Sequence, residues 1–265
     1  MKKTLLSLGI AALLGFAGVA QAANVFLEFT VDEGAVTGAA PNVFTADKLN
    51  GGYTEFLAPT SATTFAASAV GNIGQYFKNE GTTLVSTQLN GFGTSGYGIY
   101  AIFTATGNIV GPNQFQGTGG GFSLYLDRDN DTTFNGFNAF LNPFVAAVAD
   151  GSTDADDELL ASTFSVVSGF GNLNGPPGAF DLVFKDFALT AFGKTYFVAP
   201  DPFHFFVNIN GDYDQFETLD AATGLSRVTG DVSAVFKVSE PDSLALIGLG
   251  LVGLGALQRR RNLKK

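Results

Sequence analysis

The 265-residue chain holds 14 Lys plus Arg against 24 Asp plus Glu, a formal charge of −10, and is 46% hydrophobic but only 14% charged. High hydrophobicity with low charge excludes intrinsic disorder, and the acidic balance excludes a nucleic-acid binder, which needs a basic face. With no Cys the chain has no thiolate catalysis, zinc-thiolate site, iron-sulfur cluster or disulfide, and its single histidine, His204, rules out imidazole pairs within one chain.

Residues 1–22 read as a secretory signal peptide, expected as a helix. Lys2 and Lys3 form the basic start and Leu5 to Ala20 the apolar run. Ala20-Gln21-Ala22 is a small-x-small cleavage site that leaves Ala23 as the first exported residue. A single exported all-β domain is expected over 23–238. The first strand candidate, Asn24 to Val31, is broken by Asp32-Glu33-Gly34. Further short runs follow at Thr63 to Val70, Leu84 to Gln88, Tyr97 to Ala105, Gly121 to Leu126, Leu159 to Val167, Ala179 to Leu189, Lys194 to Val198, Phe203 to Ile209 and Val232 to Val238. They are rich in Phe, Val, Thr and Tyr and bounded by Gly, Asn, Asp or Pro. Such runs predict an antiparallel sandwich, jelly-roll-like, or a barrel. Only Phe140 to Ala149 has the composition of a short helix, with Pro143 in its first turn. The 27 Phe read mainly as core.

One loop has ligand-like spacing. Asp127, Asp129 and Asp131 place oxygen groups at alternating positions directly after a strand, which suits Ca²⁺, a hard cation bound by six to eight oxygens. The loop is not an EF-hand, because Thr132 stands at its sixth position and Asn138 at its twelfth. The competing reading is an Asx-rich turn whose carboxylates cap backbone amides. A second acidic run, Asp150, Asp154, Asp156, Asp157 and Glu158, reads as a solvated loop. Asn208, Asn210, Asp212 and Asp214 alternate so that a strand would carry all four on one face, toward either solvent or a metal. His204, set among Phe203, Phe205 and Phe206, reads as a packed sheet histidine rather than a catalytic base.

The C-terminal segment 239–265 opens with Ser239-Glu240-Pro241, continues with an apolar run from Leu244 to Leu257, and ends in a basic cluster that includes Arg259, Arg260 and Arg261. At 1.5 Å per residue that run covers about 21 Å, short for a hydrocarbon core of about 30 Å. It is expected as a short hydrophobic sorting helix held by its basic end on the cytoplasmic side. Glu240, Pro241 and the arginines resemble the PEP-CTERM sorting signal, with Ser239 where that signal usually has proline. The resemblance implies recognition by an exosortase-type processing enzyme of a Gram-negative, exopolysaccharide-producing bacterium. It further implies transient anchoring in the inner membrane with the body in the periplasm, then display at the cell surface or in the extracellular matrix.

The body also carries Phe29-Thr30-Val31-Asp32-Glu33-Gly34-Ala35-Val36, Ala46-Asp47-Lys48-Leu49-Asn50-Gly51-Gly52-Tyr53-Thr54-Glu55, Leu89-Asn90-Gly91-Phe92 and Tyr97-Gly98-Ile99-Tyr100. In these segments it is similar to the flocculation-associated PEP-CTERM proteins. That similarity implies a secreted matrix protein, without catalytic residues, that promotes cell aggregation within exopolysaccharide. Its expected partners are the exosortase, extracellular polysaccharide and copies of itself. Membrane contact is expected only through the tail, with no nucleic acid and Ca²⁺ as the one candidate cofactor.

Two other classes stay open. A calcium-assisted carbohydrate-binding module would need Tyr97, Tyr100 and Tyr125 to stand in for the missing Trp as a stacking platform. A glycosidase would need two carboxylates about 5 to 9 Å apart, and so acidic a chain permits some such pair. There is no nucleophile elbow, no zinc-protease motif, no complete P-loop and no Gly-x-Gly-x-x-Gly opening a helix. Without its two basic-tipped ends, the stretch from Ala23 to Ser239 holds 7 Lys plus Arg against 22 Asp plus Glu, a charge of −15.

Overall fold

The computed structural model describes residues 26–89, 96–130, 132, 157–174 and 178–237. The signal segment with Ala20, Ala22 and Ala23, the helix candidate Phe140 to Ala149, Asp131, and the tail with Glu240, Pro241 and Arg259 to Arg261 lie outside the described residues.

The described chain begins with β1 (Phe29–Asp32), a 3-10 turn (Glu33–Ala35) and β2 (Val43–Ala46). Four long strands follow, β3 (Lys48–Pro59), β4 (Thr64–Lys78), β6 (Gly98–Gly111) and β7 (Gln114–Asp127), with the two-residue β5 (Thr83–Leu84) between β4 and β6. Next come β8 (Glu158–Thr163), β9 (Ser165–Asn172), β10 (Gly178–Lys185), β11 (Ala188–Leu189), one helical turn α1 (Gly193–Tyr196) and β12 (Phe197–Ala199). The chain closes with β13 (Phe206–Tyr213), β14 (Gln215–Asp220) and β15 (Leu225–Lys237).

Hydrogen bonding joins β7, β6, β4, β3, β15, β13, β10 and β9 in that order, and β9 pairs back onto β7 through Gln114 with Asn172 and Phe115 with Gly171. The described residues thus form an antiparallel eight-stranded barrel, which settles the choice between sandwich and barrel. Its connectivity is a closed meander, so the barrel wall has no free edge along this path. β8 and β9 are one strand interrupted at Phe164. β8 continues the pairing with the second half of β7, and β11 pairs with β8.

Glycines at two register shifts help the wall curve. A Cβ on Gly51 would lie 1.7 Å from the carbonyl oxygen of Asn72, and one on Gly107 would lie 1.9 Å from that of Gln116. Both sit where the pairing slips, at Asn50/Gly51 and Thr106/Gly107. Bulges of this kind increase local twist and coil, which an eight-stranded sheet needs in order to close.

Alternation then sorts the faces. Tyr53, Ala69, Ile73, Phe103, Phe122, Val228 and Val232 are buried and point inward. An eight-stranded interior is about wide enough for side chains to fill. One end is stoppered by the small sheet β12-β1-β2. There Phe29 meets Phe236 edge to face at 5.1 Å, and Phe197 packs on Phe29 at 5.7 Å. At the other end, marked by the β3–β4 and β6–β7 hairpin tips, a cavity remains.

Three sequence expectations change. Lys194 to Val198 is not a single strand, because Gly193–Tyr196 forms the turn α1 and only Phe197–Ala199 pairs with β1. Leu84 to Gln88 contributes to pairing only through Leu84 in β5, whose partner is Phe77. The strand expected at Phe203 starts at Phe206 instead, leaving Phe205 half exposed.

Candidate functional site

Asp127 ends β7 with its side chain buried. Its Oδ1 accepts from the Asn130 amide at 2.6 Å and its Oδ2 from the Thr132 amide at 2.9 Å. Asn130 has φ 57°, the left-handed geometry that Asn tolerates in turns. The carboxylate therefore holds the loop in shape, although each oxygen keeps a second lone pair. Asp129 is exposed, and Asp131 lies outside the described residues. Among the described residues no three His, Cys, Asp or Glu side chains gather as a metal site.

Two members of the second acidic run are described, and both are paired. Glu158 meets Arg128 at 2.8 Å, and the Arg128 guanidinium lies 5.2 Å from the Phe192 ring centre. Asp157 accepts from the Tyr100 hydroxyl at 2.9 Å and from Thr132 Oγ1 at 3.1 Å. Burial and then the Asp157 bond push the Tyr100 hydroxyl pKa up. Tyr100 and Tyr125 stack at 5.0 Å with their rings 10° apart. Tyr97 is no part of an exposed stacking platform. It is buried, and its hydroxyl donates to Glu33 Oε1 at 2.8 Å.

Glu33 is a residue that sequence reasoning treated as part of a turn. It is fully buried under the stoppered end of the barrel. Besides Tyr97, its carboxylate accepts from the Gln88 amide at 2.7 Å, Asn42 Nδ2 at 2.6 Å and Gln88 Nε2 at 3.1 Å. The hydroxyls of Tyr97 and Tyr196 lie 2.7 Å apart and those of Tyr76 and Tyr196 3.0 Å apart, extending the chain of bonds inward. Burial opposes the charge, but the four donors outweigh it and hold the Glu33 pKa below the usual range. His204 is packed, with Nε2 2.8 Å from the Glu28 carbonyl and its ring stacked at 5.7 Å on Phe236. Burial lowers its pKa.

The polar alternation on β13 is realised and extends sideways across the wall. Asp181, Asn210, Ser233, Asn50 and Gln75 are directly paired in register on β10, β13, β15, β3 and β4. They form one transverse row on the outer face, with neighbours about 4.8 Å apart. Ser233 Oγ donates to Asn50 Oδ1 at 2.7 Å, Asn210 Nδ2 to Asn208 Oδ1 at 3.0 Å, and Asn208 Nδ2 to Asp181 Oδ2 at 3.0 Å. Asp212 stands beside the row, its Oδ1 3.4 Å from the Asp231 amide. Asp214 lies just past the end of β13 and is exposed. The sequence placed Asn208, Asn210, Asp212 and Asp214 on one face; β13 carries the first three and ends before Asp214, and only the register adds Asp181, Ser233, Asn50 and Gln75.

An acidic, all-β barrel with a polar wall and a stoppered end belongs to the broad class of closed-meander β proteins. Residues 237–261 match the PEP-CTERM protein-sorting motif, so the chain carries that sorting signal. The motif marks it as an exosortase substrate, exported and sorted at the membrane toward the cell surface. The match lies almost wholly in the tail, beyond the barrel. No curated protein and no solved structure matches the chain.

Proposed function

We propose that this is a non-enzymatic surface or matrix protein that promotes cell aggregation by contacting exopolysaccharide. The sorting motif at 237–261 carries the reading, because it sends the barrel to the place where polysaccharide is found. The transverse row supports it. Asp181, Asn210, Ser233, Asn50 and Gln75 offer a run of donors and acceptors on a stiff wall, a surface chemistry suited to sugar hydroxyls. Single contacts of this kind are weak, and many barrels along one polymer multiply them. A body charge of −15 favours cation-assisted bridging over direct contact with acidic polymer. Ca²⁺ at Asp127, Asp129 and Asp131 is part of the proposal, as is contact between copies of the chain.

A strain lacking the gene is expected to settle poorly and to recover with the intact chain. It should recover much less with a chain ending at Val238, or with the N50A/D181A/N210A variant. The three exposed or half-exposed substitutions are expected to leave barrel stability within about 1 to 2 kcal/mol, so lost settling reports lost contact. Unchanged settling after deletion overturns the proposal. If a calcium chelator changes neither settling nor the melting temperature of the chain, the calcium part falls and the remainder stands.

A further inference from the structure

The barrel end opposite the stopper holds a cavity of about 50 Å³, lined chiefly by Tyr53, Phe65, Phe103, Phe115, Phe180 and Glu55. That volume is room for a few waters or one compact group, since a single water needs roughly 10–15 Å³ on the same measure. The rings surround the space. Phe65 and Phe115 meet edge to face at 5.2 Å, Tyr53 and Phe180 likewise at 5.2 Å, and Phe103 stacks on Phe180 at 6.5 Å.

Glu55 projects into this aromatic space from the middle of β3. It pairs directly with Val228 on one side and Ala69 on the other, so neither neighbour offers a donor. Among the described residues no hydrogen bond or ion pair reaches its carboxylate, and no Lys, Arg or His lines the cavity. The other ionisable lining group is the Tyr53 hydroxyl, raised first by burial and then by the charges of Glu55, Asp212 and Asp214. Tyr213 on β13 faces the interior too, but its hydroxyl is engaged with the Leu173 carbonyl at 3.1 Å. The field in the cavity is therefore negative, with no resident cation to offset it.

A lone carboxylate in an apolar wall is costly and raises the question of what it meets. Aromatic faces around one negative charge match one ligand chemistry well. A compact organic cation gains from the ring faces and from the carboxylate, while its alkyl groups fill apolar space that a metal ion or a sugar would leave badly matched. We propose that this cavity binds a small alkylammonium group, with Glu55 as its counter-ion. The inference goes beyond the matrix role and is independent of it, since it rests on the barrel interior and not on the wall or the tail. Burial pushes the Glu55 carboxyl up to about 7, so binding should strengthen as the pH rises past neutrality and the carboxylate forms.

Tetramethylammonium chloride and the neutral, near-isosteric tert-butyl alcohol serve as probes, titrated against the full chain carrying ¹³C-labelled glutamate. The expected result is a saturable shift of the Glu55 carboxyl signal with tetramethylammonium, about tenfold tighter at pH 8.5 than at pH 5.5, and none with the alcohol. E55Q assigns that signal and keeps the shape of the residue; titrated by calorimetry beside the wild type, it should bind tetramethylammonium at least tenfold more weakly while its circular dichroism stays that of the wild type. Equal binding of the alcohol, or equal binding by folded E55Q, overturns the proposal in favour of a plain apolar pocket. No saturable shift at about 100 mM tetramethylammonium, a concentration at which even weak cation–π sites fill, overturns it outright.

Discussion

Two glutamates of this fold, Glu33 buried and Glu55 partly buried, have opposite protonation behaviour because of their neighbours. Glu33 is surrounded by donors and its pKa lies below the usual value, whereas Glu55 has none and is pushed up to about 7. The signs follow from which state holds the proton more tightly. The stabilising effect of Glu33 is present above the unfolded pKa near 4.5 and is lost as the pH falls through its lower folded value. The effect of Glu55 is most favourable below about 4.5 and is lost as the pH rises to about 7. Urea melts should show E55Q more stable than wild type at pH 8, by up to about 3 kcal/mol, and indistinguishable at pH 4. E33A should lose about 3 kcal/mol at pH 7, because the Gln88 amide and Asn42 Nδ2 lose their acceptor. Neither role is obvious in the sequence, though one trace exists. Tyr53, Glu55 and Leu57 alternate, which puts an acid on the same strand face as two large apolar residues. Glu33 follows Asp32 and precedes Gly34, a pattern that reads as a solvated turn. Only the chain brought in from Tyr97 and Gln88 buries it.

At the level of elements, most strands rich in Val, Phe and Tyr were legible, while the short β2 and β14 and the glycine-rich stretches were not. β3 was missed because Gly51-Gly52 looks like turn punctuation, and the first half of β7 was missed behind Gly117 and the run Gly119 to Gly121. In a closing barrel those glycines mark bulges and close backbone approach rather than turns. The Asp127 loop was legible as an Asx-rich turn, but the transverse row was not. Its members come from five strands, and pairing register is not written in any one of them. The glycine argument has a direct check. G51V should cost about 2 to 4 kcal/mol, since its Cβ would collide with the Asn72 carbonyl oxygen in the backbone of β4. G74A, which meets nothing within 4 Å, should stay within about 0.5 kcal/mol. Chemical denaturation of the two variants side by side separates bulge geometry from a general intolerance of side chains in β strands.

For the whole molecule, segments 29–36 and 97–100 meet at the stoppered end. Glu33 and Tyr97 share the buried network, and Asp47 accepts the Glu80 and Gly81 amides at 2.7 and 3.0 Å. Folding therefore accounts for Glu33, Tyr97 and Asp47, and none of the three presents a binding surface. The sorting motif makes a separate prediction about the mature product. Mass spectrometry of the extracellular form should find a chain that begins at Ala23 and ends near Glu240. A product that retains Arg259 to Arg261 would mean that the tail is not processed.

The first and last strands of the described chain meet at the same end of the barrel, Phe29 against Phe236, and Lys237 leads from there into the sorting tail. A membrane-held tail would therefore tether the barrel at its plugged base. The rim, with the cavity and Glu55, lies at the opposite end, and the row of Asn and Asp groups runs along the side. The point of attachment thus gives the molecule a direction. On the proposed matrix role, the rim and flank are the surfaces left for polymer, and the base lies next to the processing site.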